Sequence, residues 1–194
     1  MKPFKAWFLS MMVGGLLASN VQGLDSFVQI KDGYFCDSKT GAPWIPHGIA
    51  YQTWNRPLGV WQTHDQIDYD LDEMVKMGAN SIRVDFVWQH IEEDGDNQWK
   101  WENYDYLVQA AEARGLRIFA LIGYQWPPNW FPNEWYTMHP PGDDPEGIYH
   151  AERWQSDIIN YEHPDARAQY GEFFSNVCAR YANSPAIAVW IICN

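Results

Sequence analysis

The run Asp72-Glu73-Met74-Val75-Lys76-Met77-Gly78-Ala79-Asn80-Ser81-Ile82-Arg83-Val84-Asp85-Phe86 decides the fold. Ile67, Leu71, Met74 and Val75 fall at helical spacing, and Gly78 reads as the left-handed cap that stops the helix. Residues 80–88 then read as a strand, with Ile82, Val84 and Phe86 alternating with Ser81, Arg83 and Asp85. The same order returns downstream. Tyr104, Leu107, Val108 and Ala111 mark a helix ending at Gly115, and residues 116–123 are almost wholly apolar, as a strand buried on both faces must be. Residues 165–182 form a further amphipathic helix, stopped before Ser184-Pro185, and residues 186–193 a fourth apolar strand. Upstream, residues 45–51 are the first core strand. Asp32-Gly33 and Asp37-Ser38 flank residues 34–36, which read as part of a hairpin leading into the domain.

Strand, helix, strand, helix with buried strands means a parallel sheet with right-handed crossovers. His47, Ile82 and Arg117 occupy comparable strand positions 35 residues apart, and Ile187 follows 70 residues later because the loop after the third strand is enlarged. A unit of that size suits the eight-fold βα (TIM) barrel, whose full length is about 250 residues. The expected fold class is therefore α/β, with about four βα units of a barrel in residues 24–194. A doubly wound open sheet is the alternative.

Composition narrows the function. The 194 residues hold 13 Lys+Arg against 25 Asp+Glu, a net charge of −12, which disfavours nucleic acid and anionic membranes as partners. No Gly-rich phosphate fingerprint follows a strand, no G-x-S-x-G elbow is present, and the six His show no pair at metal-ligand spacing. No cofactor and no metal is expected. Glu92-Glu93-Asp94-Gly95-Asp96 reads as a solvated turn. Residues 1–23 read as a secretory signal: Lys2 and Lys5, an apolar run too short to span a bilayer, then Val21-Gln22-Gly23. Export to a secreted or periplasmic location permits a disulfide among Cys36, Cys178 and Cys193 without choosing one. For Cys178 and Cys193 a buried free thiol is the simpler reading.

Candidate chemistry sits at the carboxyl ends of the strands, where barrel enzymes place it. Arg83 and Asp85 share the face opposite the helices. They can pair with each other, pair with other carboxylates of the site, or be hydrated at the mouth. Tyr124-Gln125-Trp126-Pro127-Pro128-Asn129-Trp130-Phe131-Pro132 is a rigid loop of exposed rings, suited to the apolar face of a sugar.

These segments resemble the N-terminal half of a clan-A glycoside hydrolase barrel. The likeness rests on residues 72–84, on Phe86-Val87-Trp88 through Ile91-Glu92, on a helix of W…D.L…A…G type over 101–115, and on Pro127-Pro128-Asn129-Trp130-Phe131. Arg180-Tyr181, Ser184-Pro185-Ala186-Ile187 and Trp190-Ile191-Ile192-Cys193-Asn194 complete it. Family 42, the β-galactosidases, is most similar, and family 5, the endoglucanases and mannanases, is next. The resemblance implies a retaining glycosidase with a carbohydrate partner and a substrate-binding set of Arg83, Trp88, Tyr124, Trp126 and Asn194. Asn194 matches the Asn that precedes the clan's acid/base Glu, so that Glu is expected directly after it, and Arg83 matches the arginine that orients the nucleophile. Ile192-Cys193 departs from family 42, where a polar pair is more usual. The residues as written are expected to be inactive alone, and to aggregate or dimerise through open sheet edges. A secreted, non-catalytic carbohydrate-binding half barrel is the reading from a different class.

Overall fold

The structure, a computed structural model, describes residues 23–52, 54–55, 60–122, 127–135 and 159–192. Strands β1 (Val28–Lys31) and β2 (Tyr34–Asp37) form the expected hairpin. Asp32 and Gly33 turn it with φ of 53° and 82°, the pair of positive values that a tight hairpin of matching twist requires.

Strand β3 (Gly48–Tyr51) starts the main sheet, and β4 (Trp54–Asn55) with β5 (Val60–Trp61) makes a small antiparallel ribbon beside it in sequence. Helix α1 (His64–Lys76) is capped by Thr63, whose hydroxyl accepts the Gln66 N–H at 3.2 Å. It ends as read: Gly78 has φ 88°, its N–H bonds the Val75 carbonyl, and the Ala79 N–H bonds the Met74 carbonyl. Those two bonds satisfy the last carbonyls of the helix and release the chain into β6 (Ser81–Asp85). The device is repeated one unit later. Helix α2 (Trp88–Ile91) and helix α3 (Glu102–Ala113) follow; Gly115 at φ 73° bonds Glu112, Leu116 bonds Ala111, and β7 (Arg117–Leu121) begins. A short 3-10 turn (Asn133–Trp135), helix α4 (Pro164–Tyr181) and β8 (Ile187–Ile191) complete the described chain.

The main sheet runs β3-β6-β7-β8, all parallel. Strand order therefore equals chain order, and crossovers of the usual right hand place every helix on the same face. A doubly wound sheet reverses its strand order, and no reversal occurs among the described strands. The core agrees. Ile82, Val84, Ile118 and Ala120 pack with Ile67, Leu71, Met74, Leu107, Val108, Ala111, Phe173 and Val177 in one buried cluster. Two segments matched separately in the sequence meet here. The Arg180 Nε donates to Asp105 Oδ1 at 2.7 Å, the Tyr181 hydroxyl donates to the same oxygen at 3.0 Å, and the Arg180 guanidinium lies 4.9 Å from the Trp101 ring centre.

All four strands of the main sheet are shorter than the sequence pattern implied, the third running Arg117–Leu121 instead of over 116–123. The first begins at Gly48 instead of residue 45 because Pro46 has no N–H for a ladder. The Asn80 side chain takes over there, donating to the Ile45 carbonyl (2.8 Å) and accepting the His47 N–H (2.8 Å). The second ends at Asp85, since Trp88 already opens α2. The fourth ends at Ile191, and Cys193 lies outside the described residues, as do residues 1–22 of the expected signal. Cys36, buried, and Cys178, half-buried, are free thiols.

Gly48 sets how closely β3 approaches β6. A methyl group built on it would stand 2.1 Å from the Ser81 carbonyl oxygen and 2.7 Å from its carbon, main-chain atoms that no rotamer change can move. Gly48→Ala is expected to lower stability by about 1–3 kcal/mol, the cost of overpacking. A urea melt checks this, and an unchanged midpoint would show that β3 can shift away from β6.

Candidate functional site

Arg83 and Asp85 stand on β6 with their neighbours Ser81 and Gly48 on the face away from the helices, and both are half-buried. In the register Arg83 lies level with Ala50 on β3 and Phe119 on β7. Burial pushes the Asp85 carboxyl above its usual range, while the Arg83 charge and a hydrogen bond from Gln52 pull it back. Asp85 thus answers to Arg83 electrostatically, and the two form a charged step at the carboxyl end of the sheet. On the helix side of β3, opposite to Arg83 and Asp85, the Tyr51 hydroxyl bonds Gln62 Oε1 at 2.8 Å and Asp70 Oδ2 at 3.0 Å, and burial pushes its acidity far down.

Trp88 is not available to a sugar. It is fully buried, with its ring stacked on Phe173 (5.4 Å between centres, 18° between planes) and bordered by Phe131, Tyr170 and Trp130. The structure thus corrects the expected role of Trp88: no open face remains on which a ring could stack. The Pro–Trp loop departs from expectation in the same way. Pro127, Pro128 and Phe131 are buried, and Trp130 is half-buried with its indole N–H donating to the Glu92 carbonyl at 2.6 Å. Packing takes these rings because the loop lies over α2 and the start of α4, where apolar surface would otherwise be open. Tyr124, Trp126 and Asn194 lie outside the described residues.

The acidic run is also more than a solvated turn. Glu93 and Asp94 do sit at the surface, both paired with the exposed Lys100 at 2.9 and 2.8 Å. Glu92, however, is 1% exposed. Its Oε2 accepts the Trp88 indole N–H at 2.6 Å and its Oε1 accepts the Asn97 main-chain N–H at 2.5 Å. Burial pushes its carboxyl up, and those two donors oppose the shift. The spacing of Trp88 and Glu92, four residues on one helical face, was the signal that could have paired them.

At the opposite end of the sheet, Arg117 is a second residue that the pattern passed over as part of an apolar strand. It is 5% exposed and joins Ser26, Pro185 and Asp37. A charge inside a buried strand always needs partners, and that was the available signal. Among the described residues no group of three His, Cys, Asp or Glu could hold a metal ion, and no helix is long and apolar enough to cross a membrane. A cavity of about 520 Å³, lined by His90, Trp99, Trp101 and Asn103 among others, includes neither Arg83 nor Asp85.

Comparison with known proteins bears on this site. The family model described as Beta-galactosidase, glycoside hydrolase family 42, matches residues 59–194. A mannan endo-1,4-beta-mannosidase A from Podospora anserina is 29% identical over 200 residues, covering 93% of this chain and 46% of its own. Among solved structures, the endo-1,4-beta-mannanase from Rhizomucor miehei superposes with a TM-score of 0.57 at 18% identity, over 87% of this chain and 48% of that one. The beta-galactosidase from the psychrophilic Marinomonas ef1 gives 0.54 at 18% identity, over 74% of this chain and 20% of that one. Both structural likenesses speak for the fold, a parallel βα architecture of the TIM-barrel glycoside hydrolases. The chain spans about half the length of the curated relative it matches.

Proposed function

The chain belongs to glycoside hydrolase family 42, the β-galactosidase family, and on that premise we propose that the whole protein hydrolyses β-galactosides with retention of configuration. The observation that carries the reading is the placement of Arg83 and Asp85 on the helix-free face at the carboxyl end of a sheet whose strands follow chain order. In this reading the four strands are half of a closed barrel. Retention needs two carboxyl groups about 5–5.5 Å apart, one protonating the leaving oxygen and one attacking the anomeric carbon. The acid/base carboxyl follows Asn194, and the nucleophile comes from a later strand. Arg83 keeps the nucleophile ionised and aimed, because a guanidinium favours the charged form of a neighbouring carboxyl. Asn194, Tyr124 and Trp126 contact the sugar, and residues 1–23 direct export.

Endo-hydrolysis of β-mannan is a second reading, supported by the Podospora relative's 93% coverage of this chain. The complete protein, assayed in parallel on a nitrophenyl β-galactoside and on β-mannan, separates the two. Release of nitrophenol with the β-anomer formed first supports the galactosidase; shortened mannan alone replaces it with the mannanase. Folded protein that cleaves neither overturns the enzyme reading, and saccharide binding without cleavage then favours the non-catalytic module.

A further inference from the structure

Two indoles from different loops converge on one residue. Glu92 follows α2 and accepts the Trp88 N–H with its side chain, at 2.6 Å, and the Trp130 N–H with its main-chain carbonyl, also at 2.6 Å. Trp88 belongs to the connection after β6, and Trp130 to the connection after β7. The rings themselves meet edge to face, 6.1 Å between centres and 87° between planes, and Phe131 sits edge-on to Trp88 at 5.3 Å. The second carboxylate oxygen takes the Asn97 N–H and so fixes the start of the loop that leads to α3. A carboxylate this deeply buried is expensive unless donors meet it, and here an indole and a main-chain amide do.

We infer that Glu92 is a positioning residue: its side chain and main chain together clamp Trp88 and Trp130, and thereby seat residues 127–131 at the carboxyl-end rim. The inference deepens the glycosidase reading and rests on it for the identity of the rim as the sugar site. No neutral side chain does the same work. Glutamine offers one acceptor oxygen, so its amide group meets the second donor; leucine leaves the Trp88 indole and the Asn97 main-chain N–H without an acceptor.

The test uses Glu92→Gln in the complete protein, with two readouts. Amide exchange is read at Phe131 and Trp135, whose N–H groups bond Pro128 and Pro132, against the amides of α1. Loss of the clamp is expected to speed the first pair by about tenfold and leave α1 unchanged. For the glycoside that the protein cleaves, KM is expected to rise about fivefold, with kcat per active site within about twofold. Uniformly faster exchange with KM unchanged would make Glu92 a core residue only and overturn the inference, as would no change in either readout. If Glu92→Gln does not fold, Trp130→Phe removes one donor alone and must show the same local exchange. An unsubstituted protein without activity defeats the glycosidase reading, while exchange still decides the clamp.

Discussion

Arg117→Met is expected to lower stability by about 3–5 kcal/mol, the cost of breaking a buried charged network from one side. The guanidinium sits at the first residue of β7 and donates through Nη1 to the Ser26 carbonyl at 2.5 Å and the Pro185 carbonyl at 2.6 Å. Its Nη2 reaches the Ser26 hydroxyl at 3.2 Å and stands 3.6 Å from Asp37. One side chain therefore joins the segment before β1, the end of β2 and the approach to β8. Burial pulls the Arg117 pKa down, and the charges of Asp37 and Asp25 pull it back, yet a guanidinium stays protonated throughout the working range. Above this network Trp44 stacks on Phe119 (6.1 Å, 23°) with Phe35 edge-on to both, so the hairpin closes the amino end of the sheet. Methionine would fill most of the volume and leave two carbonyls without donors. At about 2–4 °C per kcal/mol for a chain of this size, the melting temperature should fall by roughly 6–20 °C. Arg117→Lys, which can reach one carbonyl at a time, should recover part of the loss. A methionine variant melting within a degree of the parent would show that water replaces the guanidinium without cost.

The contrast between the two ends of the sheet explains what the sequence could reveal. Helices α1 and α3 were legible because a helix stop is local: the Gly78 and Gly115 N–H groups bond carbonyls three positions back, and the residue after each glycine bonds the carbonyl five positions back. The winding was legible because it follows from the order of those local units. Strand lengths were over-read, since alternation continues into residues such as Phe86, which lies past the end of β6 yet is buried and still donates its N–H to the Leu121 carbonyl. The partners of Arg117, and the contact between Glu92 and the distant Trp130, were not legible. Ser26 and Pro185 stand 91 and 68 residues from Arg117, and no period links them. The same blindness left Trp88 among the substrate-binding residues that the resemblance implies: an aromatic at a strand end looks alike whether it faces a ligand or Phe173. Arg83 and Asp85 were placed correctly because alternation along one strand is all that their placement needs.

Arg83 is where that placement becomes a test of chemistry. Arg83→Met in the complete enzyme is expected to lower kcat by about 10²–10³, the range for removing one preorganised group beside developing charge. KM should change little, because the nucleophile's orientation matters most as the bond forms. The pH profile carries a second signature. A guanidinium favours the ionised form of nearby carboxyls, so its removal moves the acid limb of kcat/KM to higher pH. Asp85, already pushed up by burial and restrained by Arg83, shifts the same way and holds its proton further toward neutrality. Arg83→Lys retains the charge but not the planar fork, and should restore the acid limb more fully than it restores kcat. Asp85→Asn separates the alternatives that remain. If Arg83 serves only a structural pair with Asp85, either substitution lowers the melting temperature and leaves kcat per active site intact. If it serves a nucleophile, the methionine variant loses turnover in a fold that still melts cooperatively.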